Sequence, residues 1–282
     1  MKKIYENEKH GEERAYYGAK DSLFIAPVFD GEEDGESALK ECSEIEVRNG
    51  VFNLRYPLWH CEEVLLDTCV LSETCRAPIW YTTDLNAHNL TVKGVKCLRE
   101  CSDVVIRNSD IDSEEFGWKC SDVLLADVKL NSVYAFFASS DVRINNLTFT
   151  GKYSFQYVEN AEISNSVLNT KDAFWHSKNV TVKDSVIDGE YLGWYSEGLT
   201  LINCTIKGTQ PLCYCRKLNL VNCKMIDTDL SFEYSDVNAD IDGSVLSVKN
   251  PLSGTIKASS YGQVILEGSV KKLSAKILTK QA

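Results

Sequence analysis

A chain of 282 residues with 44% apolar content can build an ordinary packed core in one or two domains. Its net charge of −11 lacks the basic footprint that nucleic-acid binding requires. Two lysines near the start are followed by no apolar run, and no stretch approaches membrane-spanning length, so neither a secretory leader nor a membrane partner is expected and the chain is read as cytoplasmic.

Residues 1–22 are polar and read as an N-terminal cap. A first coil starts near Leu23 and closes at Leu39-Lys40-Glu41-Cys42-Ser43. Between them Asp30-Gly31-Glu32-Glu33-Asp34-Gly35-Glu36 reads as a solvated acidic turn.

From Cys42 a sentence of nineteen residues repeats itself. Leu98-Arg99-Glu100-Cys101-Ser102-Asp103-Val104 returns as Gly117-Trp118-Lys119-Cys120-Ser121-Asp122-Val123, and again as Phe136-Phe137-Ala138-Ser139-Ser140-Asp141-Val142. Coils open at Cys42, Cys61, Thr82, Cys101, Cys120, Ser139, Val158, Ser177, Ser196, Cys215 and Tyr234; only the coil from Cys61 to Thr82 is longer, by two residues around Ser72–Cys75. A fixed period of this length marks a repeat architecture.

Within each coil, apolar residues recur three and five positions in, as Val104 and Ile106 or Val123 and Leu125, the alternation of a short strand with one buried face. Seven positions in stands Asn or Asp, as in Asn89, Asn108, Asp127, Asn165, Asp184 and Asn203. These residues tolerate the turn that leaves a strand, and their amides can bond from coil to coil. The reading is an all-β, single-stranded, right-handed parallel β-helix of about 12 coils, one domain with coils over residues 23–263 and a C-terminal cap over 264–282.

The last side of each coil carries the candidate chemistry. All five tryptophans fall there. The position two before each coil opening reads Lys40, Trp59, Trp80, Arg99, Trp118, Phe137, Gln156, Trp175, Trp194, Cys213 and Phe232. Lysine, arginine and glutamine rarely occupy a dry core, so this column is expected to face outward or lie at an edge.

Aromatic faces with charged forks suit sugars. The ligand-binding candidates are therefore Arg55, Trp59, Arg76, Trp80, Trp118, Lys152, Trp175 and Trp194. Arg55 and Arg76 stack as like charges, which costs energy unless an anion lies between them. The catalytic candidates are Arg99, Glu115, Asp172, His176 and Glu190, with Asp172 four residues from His176. Lys96–Glu115 and Glu100–Lys119 read as solvated pairs.

Eleven cysteines form an odd count without a CxxC pair. In a reducing compartment they read as free thiols in small buried slots. No ligand set has zinc spacing, and no cofactor is expected.

Several segments together resemble the signature of a family. Leu54-Arg55-Tyr56-Pro57-Leu58-Trp59-His60, Arg76-Ala77-Pro78-Ile79-Trp80-Tyr81, Glu115-Phe116-Gly117-Trp118-Lys119, Gly151-Lys152-Tyr153-Ser154-Phe155-Gln156-Tyr157 and Lys171-Asp172-Ala173-Phe174-Trp175-His176 are similar to those of bacterial domain-of-unknown-function family 3737. That resemblance covers nearly the whole chain. It implies a pectin-lyase-like, right-handed parallel β-helix and no particular reaction.

The function expected from the third side is interaction with carbohydrate. An oligosaccharide or uronate ligand would be met by a lyase using its arginines, or by a glycoside hydrolase, which needs two carboxylates about 5–9.5 Å apart. The alternatives are a non-catalytic sugar- or peptide-binding module and a structural protein that associates through its aromatic face or its ends.

Overall fold

A computed structural model describes residues 2–31 and 35–281. Glu32, Glu33 and Asp34 of the acidic turn lie outside the described residues. The chain divides into two compact units, residues 1–143 and 144–282. Among the described residues there is no helix, and every strand pairing is parallel.

In the first unit Lys3–Glu6, Lys20–Ile25, Ser43–Arg48, Glu62–Asp67, Thr83–His88, Ser102–Asp112 and Ser121–Ser132 stack in sequence order. Their register follows the repeat: Val47 lies over Leu66, Leu66 over Ala87, Ala87 over Ile106 and Ile106 over Leu125. Each of these five is at most 1% exposed, so they form one continuous apolar column. One coil alone would bury little; stacking pairs every backbone amide and removes both faces of each layer from water.

The second unit repeats the scheme. Glu159–Ser164, Lys178–Lys183, Thr200–Ile202, Leu218–Ile226, Asp236–Ile241, Ser253–Ala258 and Lys276–Thr279 pair in that order. Both units are therefore parallel β-helices. They carry about 14 turns, more than the repeat alone suggests, because Lys3–Glu6 and Lys276–Thr279 are themselves paired strands.

The corners are made by residues in the left-handed conformation, where asparagine and aspartate are least strained. Asn89, Asn108, Asp184 and Asn203 stand at φ between 49° and 58°. Their side chains also bond between coils, as Asn203 to Asp184 at 2.9 Å and Asn222 to Asn203 at 3.0 Å. A second corner brings Asp21, Glu44, Glu63, Asp84, Asp103, Asp122 and Asp141 into one column of the first unit, all at positive φ.

All eleven cysteines are free and buried. Most give their thiol to a main-chain carbonyl, such as Cys61 to Leu39 at 3.0 Å and Cys215 to Gly193 at 3.1 Å. They behave as small core residues, as their alternation with serine suggests.

Candidate ligand-binding site

The tryptophan column lies along the wall of each unit rather than projecting from it. In the first unit Lys40 Nζ sits 4.6 Å from the Trp59 ring, and the Arg99 guanidinium lies between Trp80 and Trp118, 5.2 and 5.4 Å from their centroids. In the second unit Trp175 and Trp194 stack 5.3 Å apart with planes 4° from parallel. All five indoles are half-buried.

Their N–H groups explain the geometry. Trp80 donates to the Lys96 carbonyl at 2.9 Å, Trp118 to Tyr134 at 2.7 Å, Trp175 to Tyr191 at 2.7 Å and Trp194 to Gln210 at 2.8 Å. Each acceptor is sixteen residues on, in the following coil. Gln156 makes the same bond through Nε2 to the Asp172 carbonyl, which is why glutamine can stand in for tryptophan. Trp59 is the exception: the coil after it holds the two extra residues, and its buried Nε1 has no partner among the described residues.

The predicted charged residues are brought together in two separate groups. In the first unit Glu115 lies 3.6 Å from Lys96 and 4.0 Å from Arg99, and Arg99 also reaches Glu100 at 3.6 Å. Glu100 thus pairs with its neighbour Arg99. Arg55 bonds Glu36 at 3.4 Å, so the arginine stack has a carboxylate of its own, while Arg76 is exposed.

In the second unit Lys152 and Lys171 lie in register, and Lys171 pairs with Glu190 at 2.9 Å. Asp172 is 6% exposed. Burial raises its carboxyl above the usual range, against the pull of Lys171 and with a further push from Glu190. His176 does not join it: its ring is exposed and held between Tyr157 and Tyr195, 5.0 Å from each.

That stack continues into a site which the sequence reading did not single out. Tyr157, His176, Tyr195 and Tyr214 are spaced 5.0, 5.0 and 4.9 Å with planes 7–11° apart. All four occupy left-handed corners, at φ 55–62°. A ring at such a position carries backbone strain, and stacking along the axis offsets it. Tyr234 follows at 6.2 Å, tilted 43°, with Lys271 Nζ 4.5 Å from its centroid.

Beside the ladder runs a recess of about 430 Å³, bordered by Tyr195, Tyr214, Tyr234 and Lys271 on one side and Glu197, Arg216 and Asp236 on the other. Lys217 pairs with Glu197 at 2.9 Å and holds its carboxyl below the usual range. Asp236 accepts the Lys217 amide at 3.3 Å and the Ser253 hydroxyl at 2.8 Å. Burial, then Glu233, pushes the Tyr214 hydroxyl up to about 12. Arg216 makes no ion pair among the described residues and is exposed.

With this geometry in view, a family profile described as a protein of unknown function, DUF3737, is found to match residues 3–278. The chain belongs to that family. No curated protein matches this chain. Among solved structures it is similar to the A-module of mannuronan C-5 epimerase AlgE4 from Azotobacter vinelandii, at 9% identity and TM-score 0.32, covering 94% of this chain and 91% of that one. It is also similar to QnrB1, a plasmid-mediated fluoroquinolone resistance protein, at 14% identity and TM-score 0.23 over 80% and 92% of the two chains. A third is the catalytic domain of a GH87 α-1,3-glucanase in complex with nigerose, at 8% identity and TM-score 0.26 over 100% and 64%. These proteins have unlike activities, and the likeness concerns the winding of the chain alone.

Proposed function

We propose that this DUF3737 protein binds an oligosaccharide in the recess beside Tyr195, Tyr214 and Tyr234. One observation carries the reading: a ring ladder whose faces cover one another borders a recess that is also lined by Glu197, Arg216 and Asp236, with the Tyr214 hydroxyl given to Glu233 at 3.2 Å. Recognition then runs through hydrogen bonds rather than ring stacking on the sugar. The hydroxyls recur once per coil, about 4.8 Å by strand spacing, close to the advance of one residue in an extended hexose chain. The Arg216 fork and the Glu197 and Asp236 carboxylates offer both donors and acceptors to ring hydroxyls.

Binding without chemistry fits this groove better than hydrolysis. Glu197 is held ionised by Lys217, and Asp236 already accepts two donors, so neither is set up as a general acid. A catalytic reading has one observation in its favour, the buried Asp172 with its raised pKa beside Lys171 and Glu190. Acid catalysis there predicts product release from an oligosaccharide that Asp172→Asn abolishes.

Calorimetry against neutral and acidic oligosaccharides tests the binding reading. At least one should bind saturably, and Tyr195→Phe, Tyr214→Phe and Arg216→Gln should each weaken it by roughly threefold to tenfold, the worth of one hydrogen bond. No saturable binding by any of them, or unchanged affinity in all three variants, refutes it.

A further inference from the structure

We infer that a second recess of the 144–282 unit is an oxyanion site, taking a ligand that carries a carboxylate or a phosphate. The recess holds about 600 Å³, more than the groove beside the ring ladder. It lies on the outer face of the strands Leu218–Ile226, Asp236–Ile241, Ser253–Ala258 and Lys276–Thr279.

The repeat breaks at this place. Leu220 pairs with Ala239, but Cys223 pairs with Ile241, so the register slips by one within a single strand. The next step shortens, Asp236 facing Ser253, and the one after lengthens, Thr255 facing Lys276. Such irregularities bend a sheet and re-aim its side chains. Gly254 keeps the shortened coil close: at φ +92° it stands where a Cβ would meet the Val237 carbonyl at 2.0 Å.

The bent face presents a column of donors. Asn219 faces Asn238, Asn238 faces Thr255, and Thr255 faces Lys276. None of these four side chains has a hydrogen-bond or ion-pair partner among the described residues. Lys257 lies diagonal to Lys276, since Thr255 and Lys276 are partners and Lys257 is two residues further on the same face. Cβ atoms in that relation are about 7–8 Å apart, within reach for two long side chains to share one anion.

Neither Lys257 nor Lys276 makes an ion pair among the described residues, although the chain carries a net charge of −11; Asp240, which lines the recess as the register partner of Lys257, is taken up by Lys280 instead. The ordinary reason for unpaired lysines on a sheet is protection of a free edge. It does not hold for Lys257, whose strand is paired on both sides. Two adjacent ammonium groups with amide and hydroxyl donors beside them match the acceptor oxygens of a carboxylate or phosphate.

The test uses the full chain at low ionic strength. Side-chain amide signals of Asn219 and Asn238 are followed by NMR while inorganic phosphate and, separately, succinate are added. The expected result is saturable shifts with at least one anion, and a dissociation constant raised about tenfold by Lys257→Gln and by Lys276→Gln, as loss of a charge-assisted hydrogen bond implies. The anion that saturates identifies the ligand's acidic group. Tyr195→Phe, in the other recess, should leave this titration unchanged, so the two sites are judged apart. Absence of saturation with both anions overturns the inference, as does undiminished binding in the Lys257→Gln, Lys276→Gln double variant.

Discussion

Trp175 and Trp194 lie face to face, 5.3 Å apart and 4° from parallel, and each gives its indole N–H to a main-chain carbonyl in the next coil. One face and the polar edge of Trp175 are thereby committed within the fold. Trp175→Ala would uncover the Trp194 face and leave the Tyr191 carbonyl without its donor. It should lower stability by about 3 kcal/mol, read from urea denaturation followed by circular dichroism. An unchanged midpoint would mean that the column serves ligands rather than packing.

Trp59 and Trp80 should respond in opposite ways to the same substitution. Trp80→Phe removes a 2.9 Å hydrogen bond and strands the Lys96 carbonyl, at a cost of about 1–2 kcal/mol beyond the change in packing. Trp59→Phe removes an N–H that is buried and unpartnered, so its polar contribution should be neutral or stabilising. Denaturant midpoints of the two variants, measured side by side, check this. Equal losses would contradict it.

The cysteines should be silent in the native protein. Burial pushes the thiols of Cys42, Cys61 and Cys213 up to about 12, and those of Cys69 and Cys215 up to about 11; the Cys204 thiol, lowered by its bond with Cys223, is shielded by its burial instead. Attack on a disulfide reagent needs the thiolate. Ellman's reagent at pH 8 should therefore react at the unfolding rate, and all eleven thiols should appear in denaturant. A rapid native burst would show a thiol that the packing leaves open.

The acidic corner column should make the first unit sensitive to pH and salt. Asp21, then Glu63, raise the Glu44 carboxyl above its ordinary value. A raised carboxyl binds its proton more tightly in the folded state. The stability it gives is fully present below the unfolded value and is lost as pH rises through the folded one. Glu44→Gln should raise the melting temperature at pH 7 and low salt, and the gain should fade as salt screens the column. The carboxyls of Glu8, lowered first by Tyr16, and Asp67, lowered first by Thr68, act in the opposite sense. A gain that persists at high salt would rule out repulsion as its cause.

Much of this fold could be read before any coordinates. The nineteen-residue period placed Ala87, Ile106 and Leu125 in one buried column, and they are. The Asn and Asp turns and the buried thiols were legible for the same reason: each is a local demand repeated in every coil. The charged pairs were partly legible. Lys96 and Glu115 meet as neighbours one coil apart, yet Arg55 finds Glu36 at the edge of a stretch read only as a loop.

The sequence by itself determined which residues stack, because stacking in a solenoid is periodicity, and periodicity is visible in one dimension. Only the tertiary structure decided which way the rings turn and where the wall opens. An indole has the same place in the repeat whether its N–H meets water or a carbonyl sixteen residues on. The two recesses of the 144–282 unit arise where the ring ladder meets Lys271 and where the register slips beyond Leu220. Both are departures from the period, which the period cannot announce.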